Sequence, residues 1–140
     1  MQISEYMTRQ VISLREDEDA ALAARLLARH NIGAIPVCNA AGAPVGMVTD
    51  RDLVTRCVAL GKKPAETGIS EIMTRRVSAV DKTESVEAVL SLMGREQIRR
   101  VPVTENGTLA GIVSLSDLTR VPDTGAAAAL RQISSGISRR

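Results

Sequence analysis

The chain has 140 residues, 44% of them apolar, with a formal net charge of +2. That length supports one real core, and with one Tyr and no Phe or Trp the core is built from aliphatic side chains, so a ring-bearing ligand would pack on aliphatic walls. Weak charge without aromatic platforms argues against nucleic acid; no apolar run reaches a membrane span and no signal peptide is recognisable, so a cytoplasmic protein is expected.

The chain opens on a repeated heptapeptide. Ile3-Ser4-Glu5-Tyr6-Met7-Thr8-Arg9 recurs as Ile69-Ser70-Glu71-Ile72-Met73-Thr74-Arg75, 66 residues on (position 3 against position 69). Val11 to Leu14 then reads as a short strand. Asp17 is expected to cap a helix running to about His30, with Glu18 and Asp19 adding negative charge at its positive end. Ala20, Ala23, Ala24 and Leu27 share one face of it, widened by Leu22 and Leu26. Ile35 to Cys38 is a strand containing Pro36, which cannot donate a ladder bond and needs an open side. After a turn at Asn39 to Pro44, Val45 to Val48 returns as a strand. Gly46 within it predicts close approach by another backbone or a ligand. A second helix runs from about Asp52 to Leu60 and stops at Gly61. Gly61 to Gly68 is a linker.

The same order follows again. Thr83 is the expected cap of a helix in which Val86, Val89, Leu90 and Met93 recur at amphipathic spacing. Val101 to Thr104 is a strand holding Pro102, Asn106-Gly107 is a hairpin turn, and Leu109 to Val113 returns with Gly111. A shorter helix ends before Pro122. Gln97 to Val103 answers Asn31 to Val37, and Gly111 to Leu118 answers Gly46 to Leu53, there 65 residues on (position 46 against position 111). The domains expected are therefore residues 1–64, residues 65–122 and a tail, 123–140. In the tail Ala126 to Ile133 could be helical, with Ser134 to Arg140 frayed and Arg139-Arg140 solvated.

The motif with chemical potential is Ser/Thr-x-x-Asp behind a glycine-bearing strand: Thr49 with Asp52, and Ser114 with Asp117. A strand-to-helix turn offers a hydroxyl and free N–H groups to an anion. An Asp at the helix start can accept hydrogen bonds from a ribose diol. Arg51, Arg99 and Arg100 would supply the charge for phosphate, because a guanidinium fork binds two oxygens. The alternative for Thr49 and Asp52, or Ser114 and Asp117, is ordinary helix capping. For Arg99-Arg100 it is a solvated charge pair. His30 reads as an exposed helix end, because one His is no metal site. Cys38 reads as a small buried filler. Cys38 and Cys57 lack metal or redox spacing and are expected to be reduced, with a bridge between them left open.

The repeated β-α-β-β-α order, the Ile/Val-Pro-Val strand and the Gly-apolar-Val-Ser/Thr-x-x-Asp-Leu motif together resemble a tandem pair of CBS (cystathionine β-synthase) domains, a Bateman module, over about residues 3 to 122. The resemblance implies an α/β (α+β) fold of two pseudo-twofold-related repeats with their sheets packed together. It implies clefts that hold adenosine ligands: AMP, ADP or ATP, with S-adenosylmethionine or NAD as further candidates. It also implies pairing into a flat homodimer and signalling to an unknown effector protein. Site positions carried over are Thr49, Asp52, Arg99, Arg100, Ser114, Ser116 and Asp117. Arg51 joins them by its place in the motif. Ile35 and Val101 join them through backbone that would meet adenine. Gly33 and Ala34 stand where basic residues often lie, and Asp50 adds a negative charge, so the Asp117 site is expected to be the better one. A nucleotide-sensing module, a constitutive scaffold dimer without ligand and an enzyme are the functions to separate. The last lacks an apparent acid–base pair or activated nucleophile near the Asp.

Overall fold

The structure, a computed structural model, describes residues 1–9, 11–75, 77–121 and 125–138, without the side chains of 135–138. It divides into two units, Ile12–Val77 and Met1–Val11 together with Ser78–Arg140. This division differs from the sequential repeats: each heptapeptide joins the unit of the other repeat.

In the unit Ile12–Val77, strand β1 (Leu14–Arg15) pairs parallel with β2 (Ala34–Cys38), and β2 pairs antiparallel with β3 (Pro44–Thr49). Helix α1 (Ala20–His30) makes the crossover. β1 therefore lies at 14–15, not 11–14, because only Leu14 and Arg15 find partners, in Val37 and Cys38. The cap of α1 is Asp19, whose carboxylate accepts from the Leu22 N–H, while Asp17 pairs with Arg15 in solvent. Ala20, Ala23 and Leu27 are buried as expected; Ala24 is exposed. The helix after β3 starts earlier than expected, as α2 (Asp50–Leu53), and continues as a wide π turn over Val54–Val58. The last element, α3 (Ile69–Ile72), carries the second heptapeptide.

The other unit repeats the plan with β4 (Val80–Asp81), α4 (Val86–Glu96), β5 (Arg100–Glu105), β6 (Thr108–Ser114) and α5 (Leu115–Leu118), then adds α6 (Ala126–Ser138). Val86, Val89, Leu90 and Met93 are all buried on one side of α4. Its cap is Ser85, because Thr83 instead bonds the Asp81 carboxylate. That bond holds the Asp81 carboxyl below its usual range. α6 runs on to Ser138 where fraying from Ser134 was expected; Pro122 and Arg139-Arg140 lie outside the described residues.

The heptapeptides recur because each unit needs one for its core. Ile3 and Met7 are buried among Val86, Val89 and Val113, and Ile69, Ile72 and Met73 among Leu14, Ala20 and Val48. The backbone zips in the same way twice. Ile3 N–H donates to Glu84 and Thr8 N–H to Ile112; Ile69 N–H donates to Glu18 and Thr74 N–H to Met47, all at 2.8 Å. Arg9 and Arg75 close each turn on the carbonyls of Ser4 and Ser70.

This zipping accounts for the glycines and prolines. A Cβ on Gly46 would lie 2.9 Å from the Thr74 carbonyl oxygen, and one on Gly111 2.8 Å from that of Thr8, so the approach predicted at both glycines is made by the heptapeptide backbone. Met47 and Ile112 exchange their N–H and C=O groups with Thr74 and Thr8. Their cross-strand partners Pro36 and Pro102 therefore face away from that ladder, where β1 and β4 pair only from Val37 and Val103 onward. β2 and β5 are central strands in sheet order, yet open on one side at each proline.

Candidate functional site

Strand register brings the candidate residues together. In the second-repeat unit Arg100 lies opposite Ser114 across β5 and β6, and the Leu115 N–H donates to the Arg99 carbonyl at 2.8 Å. The same pairing in the other unit puts Ala34 opposite Thr49 and the Asp50 N–H on the Gly33 carbonyl. The two corners share a backbone and differ in side chains.

At both corners the hydroxyl and carboxylate bind each other's backbone. Asp52 accepts from the Thr49 N–H at 2.9 Å, and Thr49 Oγ1 accepts from the Asp52 N–H at 3.1 Å. Ser114 and Asp117 repeat this with the same two distances. These are capping boxes, which close two of the N–H groups that a helix start leaves open. One oxygen of each Asp is thereby engaged. Asp52 is buried, and its other oxygen lies 4.0 Å from Arg56 Nε. Arg56 also donates to the carbonyls of Ile72 and Met73, both at 3.1 Å. Arg51 is exposed on α2.

The second corner opens onto a groove of about 350 Å³ lined by Arg99, Arg100, Ser114, Leu115, Ser116, Thr119 and Leu130. That volume lies at the lower end of the range for small-molecule sites. Four residues expected from sequence meet there: Arg99, Arg100, Ser114 and Ser116. Asp117 stands behind Ser114 as its capping partner and is not among the lining residues. Ile35 and Val101 have no exposed surface, which leaves them core residues whose contribution to a ligand could come only from backbone. Leu115, Thr119 and Leu130 were missed. Thr119 follows Ser116 by one helical turn and donates to its carbonyl at 2.7 Å, a spacing that could have been read. Leu130 arrives from α6, and nothing in the local sequence ties it to this corner.

The lining carries two guanidinium groups, three hydroxyls and no carboxylate, beside the apolar Leu115 and Leu130. Such a surface suits a ligand with an anionic end and an apolar or flat body. Cys38 and Cys57 are both free and buried, which answers the open question of a bridge, and burial pushes the Cys38 thiol up. His30 ends α1 in solvent. Among the described residues no group of three or more His, Cys, Asp or Glu could hold a metal ion, and no helix is long and apolar enough to cross a membrane.

The pattern of the CBS domain matches residues 3–59 and again residues 69–124. The uncharacterized protein YlbB of Bacillus subtilis is 47% identical over 112 residues, covering 78% of this chain and 75% of that protein. Two solved structures are similar throughout. Hypoxic Response Protein I, with two coordinated zinc ions, aligns with a TM-score of 0.79 and 33% identity, covering 86% of this chain and 98% of that one. The CBS domain pair of protein MJ0100, in complex with 5′-methylthioadenosine and S-adenosyl-L-methionine, aligns with a TM-score of 0.74 and 30% identity, covering 86% and 94%.

Proposed function

We propose a function from the premise that this chain belongs to the CBS domain family, with two copies in tandem: it is a cytoplasmic ligand-sensing module that binds an adenine nucleotide of the AMP, ADP or ATP kind and reports to a partner protein. The observation that carries this reading is the groove in which Arg99, Arg100, Ser114 and Ser116 converge beside Leu115 and Leu130. The guanidinium groups and hydroxyls take the phosphate and the ribose, and the aliphatic walls take the base. S-adenosylmethionine and NAD have the same adenosine part, and the complex of the MJ0100 domain pair supports adenosine ligands as a class. The groove offers no His, Cys, Lys or carboxylate for acid–base or nucleophilic work, which favours regulation over catalysis. Ligand can shift a signalling equilibrium only through different affinity for two states, and the partner reads that shift. Val54, Val58 and Leu60 are apolar and well exposed on one short stretch, which supports pairing into a homodimer.

A second reading is a scaffold dimer without ligand. The capping boxes favour it, since both aspartates already serve their own helices. A thermal-shift screen with AMP, ADP, ATP, S-adenosylmethionine and NAD separates the two. A ligand at about 100 times its Kd adds about 2.7 kcal/mol to the native state, so the sensing reading expects Tm to rise by several degrees. A flat response to all five leaves the scaffold.

A further inference from the structure

The family pattern ends at residue 124, and α6 begins two residues later. The helix is firmly built into the second-repeat unit. Ala129 and Ile133 are buried in the same core as Val89, Leu90 and Met93. Gly94 on α4 makes room for it: a Cβ there would meet the Gln132 side chain and lie 3.4 Å from Ala129 Cα. At its start Gly125 sits at φ +85, a conformation open to glycine. Next to Ala129, Leu130 leaves the core and enters the lining of the groove with Arg99, Arg100 and Ser114. It remains 41% exposed, an apolar side chain outside the buried core of its own unit.

We infer that α6 belongs to the ligand site: Leu130 supplies an apolar wall for the base of the bound nucleotide, so that filling the groove and docking α6 on α4 favour each other. This rests on the nucleotide reading of the same groove and adds the element that responds. The physical reason is linkage. A ligand that contacts Leu130 binds the docked helix better than the undocked one, and the docked helix in turn binds the ligand better by the same factor. The groove without Leu130 keeps its charged and hydroxyl walls, which hold the phosphate and ribose and select weakly among rings. α6 is then a part of the molecule whose position an effector could sense.

The test uses the full chain and AMP. Calorimetry compares wild type, Leu130→Ala, Leu130→Asp and Arg99→Ala/Arg100→Ala, while hydrogen exchange follows the amides of α6 with and without saturating AMP. Leu130 is too exposed for either substitution to threaten the core. Losing one apolar contact is expected to weaken AMP about tenfold in Leu130→Ala, and further in Leu130→Asp. Exchange from α6 is expected to slow with AMP in the wild type and much less in Leu130→Ala. If both Leu130 variants bind like wild type and α6 exchange is unchanged, while Arg99→Ala/Arg100→Ala still loses AMP, the helix is a structural appendage and the inference is overturned with the nucleotide reading intact. If the wild type binds none of the nucleotides, both fall together.

Discussion

The two Ser/Thr-x-x-Asp corners are the same backbone device placed in two chemical settings. Thr49–Asp52 and Ser114–Asp117 have matching capping distances, and each sits behind a glycine approached by a heptapeptide carbonyl. Around the first, Gly33 and Ala34 offer no charge, and Arg56 ties Asp52 toward the carbonyls of Ile72 and Met73. Around the second, Arg99 and Arg100 line an open groove with Ser114 and Ser116. In both units the repeated motif is a folding element, and the side chains around it set how much positive charge each corner offers. The aspartate that looked most like a ribose ligand is, in both copies, first of all a helix cap.

The shared part can be broken at the glycines. In Gly46→Ala and Gly111→Ala the new methyl meets a backbone oxygen that cannot swing aside. Overpacking of this kind costs about 1–3 kcal/mol, and the two variants are expected to lose similar amounts in urea unfolding. A large cost at one and none at the other would show that the heptapeptide docks differently in the two units. The differing part can be sharpened at Arg56. Its half-exposed side chain makes two carbonyl hydrogen bonds and a distant approach to Asp52, worth together on the order of 1 kcal/mol after solvent screening. Arg56→Ala is expected to lower stability by about that amount and leave AMP affinity unchanged in calorimetry. A tenfold loss of AMP affinity would place the first corner in the ligand site.

Much of this was legible. The apolar period of Val86, Val89, Leu90 and Met93 and the turn at Asn106-Gly107 are local signals, and the structure follows them. The close approach at Gly46 and Gly111 was readable as a need for space, although not its source, because the heptapeptides that make it come from far along the chain, Thr8 against Ile112 and Thr74 against Met47. The helix caps were misread at Asp17 and Thr83. Each stands two residues before the residue that caps, Asp19 or Ser85, and its own side chain is engaged elsewhere, Asp17 with Arg15 and Thr83 with Asp81. Arg99, Arg100, Ser114 and Ser116 could be grouped from the repeat alignment, since register across a hairpin is local. Leu130 could not, because it reaches the groove through the packing of α6 on Gly94 and Met93 rather than through any spacing.

The proposed site lies at the second corner, Arg99 to Asp117, and not at the first. Paired calorimetric titrations with AMP of Arg99→Ala/Arg100→Ala and of Arg51→Ala test it most directly. Charge-assisted hydrogen bonds contribute about 1.5–3 kcal/mol each, so the double variant is expected to lose affinity by about 100-fold or more while Arg51→Ala stays within about twofold of wild type. Equal losses in the two, or AMP bound at full strength without Arg99 and Arg100, would contradict it.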